Sequence, residues 1–173
     1  ANELIHHVKK PLLLLRVPEK SDDLTSFEQE CDLTRHILFP TDFSGNADLA
    51  FAYVKSMVAS NVKQVTLVHV QEQGPIELVP PQLLKELSLR HREIMEEMKK
   101  ELLAVGAAEV DIQLAFGSPT AEIIRIIDEK KIPLAVMGSQ GLGFIKEIYL
   151  GSVSHNIARY SAASVLLIPA ERD

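Results

Sequence analysis

An apolar run, Leu134 to Met137, leads straight into Gly138-Ser139-Gln140-Gly141, and ten residues after Gly141 come Gly151, Ser152, Val153 and Ser154. The spacing is glycine, two residues, glycine, nine residues, Gly-Ser. Gly138 and Gly141 carry no Cβ, so backbone at those points can approach a ligand closely. Gly151 to Ser154 open a helical pattern. A helix start offers unpaired N–H groups and the positive end of a dipole, which together suit phosphate. The Ser152 and Ser154 hydroxyls are further candidate donors. A second cluster, Phe39-Pro40-Thr41-Asp42-Phe43-Ser44, follows another apolar run. The Asp42 carboxylate can accept from a ribose hydroxyl or an exocyclic amine. The two clusters supply a nucleoside end and a phosphate end.

These residues need elements to hold them. His36 to Phe39 reads as a buried strand with Pro40 behind it. From Asn46 to Ser60 the apolar pairs Leu49-Ala50, Tyr53-Val54 and Met57-Val58 recur at helical spacing. Gln64 to Val70 is a second strand. Pro80 and Pro81 open a long helix whose apolar stripe runs through Leu83, Leu84, Leu87, Ile94, Met98 and Leu102, with Gly106 as its terminator. Val110 to Ala115 is a third strand. Ser118 and Pro119 suit the start of the next helix, which buries Ile123, Ile126 and Ile127. Leu134 to Met137 is a fourth strand, Val153 to Tyr160 a fourth helix, and Val165 to Ile168 a fifth strand.

Strands thus alternate with helices. Short apolar strands without strict alternation belong to a sheet covered on both faces. The expected fold class is α/β, an open doubly wound five-stranded parallel sheet with helices on both faces. Such sheets take ligands beyond the carboxyl ends of their strands, which is where both clusters fall.

The totals narrow the function classes. The chain of 173 residues carries a net charge of −6, which argues against nucleic-acid binding through a broad basic face. Cys31 is the single cysteine, so no disulfide forms within the chain, and no Cys/His cluster has zinc spacing. A reducing, cytoplasmic setting is expected. Lys9 and Lys10 precede the apolar run Leu12 to Leu15, but that run is too short for a signal peptide or a membrane span.

The compound motif resembles that of the universal stress protein family, over about Thr34 to Ala170. Pro40 to Ser44 matches a Pro-Thr-Asp-Phe-Ser type segment after the first strand. Leu67 to Val70 matches a Leu-Val-His-Val type run ending the second. The two-then-nine glycine spacing is that of the family's ATP-binding members. The resemblance implies a universal stress protein-like, adenine nucleotide alpha hydrolase-like fold and ATP as ligand. By it Asp42 and Val70 would contact the adenosine half, with Met137, Gly138, Gln140 and Gly141 on its other side, and Pro40 and Thr41 would also belong to the nucleotide site. Gly151, Ser152, Val153 and Ser154 would hold the phosphates, with Mg²⁺ or Mn²⁺ carried by the ATP. Gln140 departs from the family, which commonly has His or Arg there.

The front of the chain repeats its end. Leu4, Ile5 and Val8 have helical spacing within Asn2 to Lys10, and Pro11 to Arg16 reads as a strand. At an offset of 153, Leu4 falls on Ile157, Leu12 on Val165, Leu13 on Leu166 and Leu14 on Leu167. Residues 1–20 are therefore read as the last helix and strand of a preceding domain of the same family, 21–33 as a linker, and 34–170 as the second domain. Family members commonly pair through their last strands, so Leu12 to Leu15 is expected to pair with Val165 to Ile168 of its own chain or of a neighbour, in a homodimer or tandem pair.

Plainer readings stand beside these. Asp42 could also cap the following helix. His69 reads as a core histidine, and Met95 and Met98 as core packing. Phe144, Ile145, Ile148 and Leu150 read as a packed cover, and Lys146 as solvated. The sequence shows no convincing general base at the phosphate end and no lysine within a phosphate loop, so any hydrolysis of ATP would be slow. The first reading is an ATP-binding regulatory protein, a slow ATPase the second, a nucleotide-free interaction module the third, and an electron-transfer flavoprotein subunit a more distant one.

Overall fold

The structure is a computed structural model and describes residues 10–17, 32–72, 80–141 and 150–170. Its elements in chain order are β1 (Leu12–Leu14), β2 (His36–Pro40), α1 (Gly45–Ala59), β3 (Gln64–Gln71), α2 (Pro81–Ala104), β4 (Glu109–Phe116), α3 (Pro119–Lys130), β5 (Leu134–Gly138), α4 (Ser152–Tyr160) and β6 (Ser164–Ile168). They form one six-stranded sheet in the order β1-β6-β5-β2-β3-β4. The five strands from β2 to β6 are parallel, as expected. The sixth, β1, pairs antiparallel with β6 of its own chain, Leu12 opposite Leu167 and Leu14 opposite Val165.

Side chains leave a strand alternately to its two faces, and both faces of this sheet are covered. Ile37 and Phe39 pack with Ala50 and Val54 of α1 and Met95 and Leu102 of α2. Leu38, between them, packs on the other face with Ile123, Ile126 and Ile127 of α3 and Ile157 of α4. The chain runs from β2 outward to β3 and β4, then crosses back to β5 and outward to β6. Strand order therefore reverses between β2 and β5, and a crevice opens at their carboxyl ends.

Local chemistry sets the element ends. The Ser44 hydroxyl caps α1 by accepting from the Ala47 N–H at 3.3 Å. Ser118 precedes α3 with Pro119 in its first turn, as the sequence suggested. Gly106 follows the end of α2 with φ +116°, a left-handed position that suits glycine.

The buried face of α2 differs from the expected stripe. Met95 is fully buried whereas Ile94 is 37% exposed, and Leu83 and Leu87 are exposed as well. The 24-residue helix is about 36 Å long, whereas an eight-residue strand spans about 27 Å. The first turns of α2 thus overhang the sheet; Met95, Met98 and Leu102 join its core, and Ser88 and His91 reach Gln71 and His69 of β3.

The expected N-terminal helix lies, except for Lys10, outside the described residues. So do most of the linker and Phe144, Ile145, Lys146 and Ile148, whereas Leu150 packs against the cluster under α3 and α4.

Arg16 fastens the extra strand. Its backbone N–H donates to Ser164 Oγ at 3.0 Å. Its guanidinium donates to the carbonyls of Ala158, Arg159 and Ser161, at the carboxyl end of α4. A cation there also meets the negative end of the helix dipole.

Candidate functional site

The turn after β5 is tied at three points. Ser139 N–H donates to the Ile168 carbonyl at 2.8 Å, and the Ser139 carbonyl accepts from Gly151 N–H at 2.7 Å. The Gly138 carbonyl accepts from the Ser154 hydroxyl at 2.8 Å. These bonds join the Gly138–Gly141 turn to the start of α4.

They also alter the expected donor set. The Gly151 N–H and the Ser154 hydroxyl hydrogen are both spent inside the protein. The backbone N–H groups of Ser152, Val153 and Ser154, the first turn of α4, remain without a partner among the described residues. These three donors lie at the positive end of the helix.

The glycines also stand close to other parts of the protein. A Cβ on Gly138 would lie 3.1 Å from the Asn46 carbonyl oxygen and 3.2 Å from that of Gln140. A Cβ on Gly141 would lie 2.5 Å from Asp42 Oδ2. Both glycines allow two parts of the protein to meet at the crevice, β5 with the start of α1 and the glycine turn with Asp42.

The opposite wall is the turn after β2. Thr41 N–H donates to the Val68 carbonyl at 2.8 Å. Thr41 Oγ1 accepts from Phe43 N–H, and Asp42 Oδ1 from Ser44 N–H, each at 3.0 Å. Phe43 has φ +60°, uncommon for a residue with a side chain. Asp42 therefore braces the turn, and the helix cap is Ser44.

His69, 9% exposed, holds the same turn from β3. Its Nδ1 lies 2.8 Å from the Thr41 carbonyl oxygen, which can only accept, so Nδ1 carries the hydrogen. The imidazole sits 4.4 Å from the Phe43 ring and 4.4 Å from the His91 ring. Burial pushes its pKa below the ordinary histidine value, while the bond to Thr41 and the Asp42 charge oppose that shift.

All twelve residues nominated from the sequence line one cleft of about 510 Å³: Pro40, Thr41, Asp42, Val70, Met137, Gly138, Gln140, Gly141, Gly151, Ser152, Val153 and Ser154. The volume falls within the range of small-molecule sites. Ala47, Val68, His69, Glu72, Pro119 and Ile123 also line it and were missed. His69 and Glu72 flank Val70, so strand-end position was the available signal. Pro119 and Ile123 belong to α3, which packs on the sheet face that carries Val68 and Met137.

Among the described residues no group of three or more His, Cys, Asp or Glu side chains could hold a metal ion. Within them no helix is long and apolar enough to cross a membrane.

A doubly wound parallel sheet with a cleft at its strand reversal defines the class of α/β proteins that take ligands beyond their strand ends. The family follows from comparison. Residues 34–169 match the model of the universal stress protein family, and the chain belongs to that family. It is 32% identical over 153 residues to Universal stress protein MJ0577 of Methanocaldococcus jannaschii, covering 78% of this chain and 94% of that one. The solved structure of MJ0577 superposes with a TM-score of 0.74 at 33% identity, covering 82% of this chain and 99% of that one. A universal stress protein solved in complex with cAMP is similar at TM-score 0.59 and 25% identity, covering 78% of this chain and 96% of that one. A universal stress protein from Archaeoglobus fulgidus matches 99% of this chain at TM-score 0.64 and 26% identity. The chain spans about half the length of that protein, covering 54% of it.

Proposed function

We propose that this chain binds an adenine nucleotide, ATP, in the cleft between β2 and β5 and acts as a nucleotide-dependent regulatory protein in stress response. The observation that carries the reading is the pairing of three N–H groups, on Ser152, Val153 and Ser154, unpartnered among the described residues, with the Asp42 carboxylate on the opposite wall of one cleft. An anion at the first turn of α4 is stabilised by those donors and by the helix dipole. Asp42 and the Val70 strand end provide acceptors for a nucleoside. Mg²⁺ or Mn²⁺ would come with the phosphates.

Among the described residues the titratable side chains lining the cleft are Asp42, His69 and Glu72, all on or just after β2 and β3. The phosphate end, on α4, offers backbone donors and the Ser152 hydroxyl. That division favours holding a nucleotide over rapid hydrolysis.

The likeness to a relative in complex with cAMP favours one second reading, a cyclic nucleotide in the same cleft. A triphosphate makes fuller use of three adjacent donors.

The N-terminal strand supports a tandem arrangement. By pairing with β6, β1 stands where the last strand of a second domain or a second copy would pair. The double-length Archaeoglobus relative, which matches nearly the whole of this chain, fits that reading.

The test is thermal denaturation with ATP and Mg²⁺, ADP, cAMP or GTP, alongside analysis of nucleotide released from denatured protein. A ligand at a hundred times its Kd stabilises by about 2.7 kcal/mol, a rise of about 5–10 °C for a domain of this size. ATP should give that rise and Asp42→Ala should reduce it. No shift at millimolar ATP sinks the proposal, and a larger shift with cAMP transfers it to the cyclic nucleotide.

A further inference from the structure

The Thr41–Ser44 turn brings Asp42 into the cleft, and two of its bonds are short-range. Thr41 Oγ1 reaches Phe43 N–H and Asp42 Oδ1 reaches Ser44 N–H, both two residues on. The left-handed backbone at Phe43 costs energy. Two bonds from β3 fix this turn against the sheet. One is the Thr41 N–H to the Val68 carbonyl, the last rung between two parallel strands. The other is from the His69 side chain to the Thr41 carbonyl.

We propose that His69 is a positioning residue for Asp42: its Nδ1–H holds the Thr41 carbonyl and so sets where the Asp42 carboxylate stands in the cleft. The inference rests on the nucleotide-binding reading above and adds a residue to that site. The ring is held from the other side as well. Phe43 lies tilted against it at 4.4 Å, and the His91 ring meets it edge-on at the same separation. His91 is itself fixed, since Gln71 Nε2 lies 2.8 Å from its Nδ1. The imidazole is thus packed between the turn it holds and the helix behind it, and it has one polar contact to give.

Chemistry separates this role from simple packing. His69→Phe keeps an aromatic ring beside Phe43 and removes the donor. His69→Asn places an amide N–H close to the position of Nδ1. If the donor positions Asp42, His69→Phe should raise the Kd for ATP about tenfold, the cost of one well-placed buried hydrogen bond. His69→Asn should stay within about threefold of the parent. In an Asp42→Ala background the His69→Phe effect should fall below about threefold, because the two residues act as one unit.

A measurement without nucleotide runs in parallel. Hydrogen exchange at Phe43 and Ser44, whose N–H groups are held within the turn, should speed up about tenfold in His69→Phe and not in His69→Asn. Should His69→Phe fail to fold, His69→Leu, which also lacks a donor, takes its place with the same expectation. The proposal is overturned if the donor-free variant binds ATP as the parent does, if its loss is equally large without Asp42, or if turn exchange is unchanged. A parent protein that binds no nucleotide would remove the functional reading alone, since the exchange result still decides the role of His69.

Discussion

Gly141 stands so close to Asp42 that a Cβ added to the glycine would lie 2.5 Å from the carboxylate oxygen Oδ2. The two residues come from opposite walls of the cleft, and a single missing methyl group lets the walls meet.

Gly141→Ala should therefore affect binding more than folding. The atom it strikes is the tip of a side chain, which can swing away at small cost, whereas overpacking against rigid surroundings costs about 1–3 kcal/mol. We expect a change in Tm of less than about 3 °C and a rise of about tenfold or more in the Kd for ATP. Calorimetric titration beside a thermal melt checks both. An unchanged Kd would mean that the position of Asp42 is immaterial to the ligand.

Ser154→Ala should act in the reverse order. It removes the hydroxyl that donates to the Gly138 carbonyl and leaves that acceptor without this donor in a buried setting. The expected loss is about 1–2 kcal/mol of stability, read as a lower denaturation midpoint in urea at unchanged slope. The Ser154 backbone N–H survives, so ATP affinity should fall by less than about fivefold.

Arg16→Ala should loosen β1. The guanidinium meets three carbonyls at the end of α4, and its loss removes both those bonds and a favourable charge at that helix terminus. We expect faster hydrogen exchange in β1, with β3 unaffected, and a stability cost of about 1 kcal/mol. Exchange in β1 equal to the parent's would show that strand pairing alone holds the segment.

Acid should weaken the fold through His36. Burial holds its pKa down at about 4, against 6.5 for a free histidine, and the positive charges of Lys130 and Arg35 add to the shift. A histidine with a depressed folded pKa contributes stability that is complete above pH 6.5 and is lost as pH falls towards 4. Its share is on the order of 2 kcal/mol. His36→Gln keeps a side-chain amide for the Thr66 hydroxyl, which lies 2.9 Å from Nε2. Denaturation of parent and variant at several pH values between 7.5 and 4.5 should give a shallower slope for the variant, and parallel slopes would exclude His36 as the cause.

The parts of this site that could be read in the sequence are those where only one residue type works. A Cβ at Gly138 or Gly141 would press on the Asn46 carbonyl or the Asp42 carboxylate, and Ser118-Pro119 announces the start of a helix. Where several partners satisfy the same residue, the sequence is silent. Nothing in Leu-Val-His-Val shows that the His69 ring turns back to hold Thr41. Nor could the motif reveal that Gly151 gives its N–H to Ser139, so that the unpartnered N–H groups among the described residues begin one residue further on. On α2 the apolar residues at 94, 95 and 98 fit two adjacent stripes. The choice between them depended on how far the helix runs past the sheet, a tertiary fact.

Asp42 and Gly141 are about a hundred residues apart in the chain, and β2 and β5 become neighbours only after an excursion through two other strands. Closing so long a segment is a late event, because its entropy must be offset by contacts that form together. A folding intermediate that holds β2, β3 and β4 alone would be blind to nucleotide. Ligand would act as a latch on the finished domain, favouring completed molecules over nascent ones and slowing global unfolding more than local fraying.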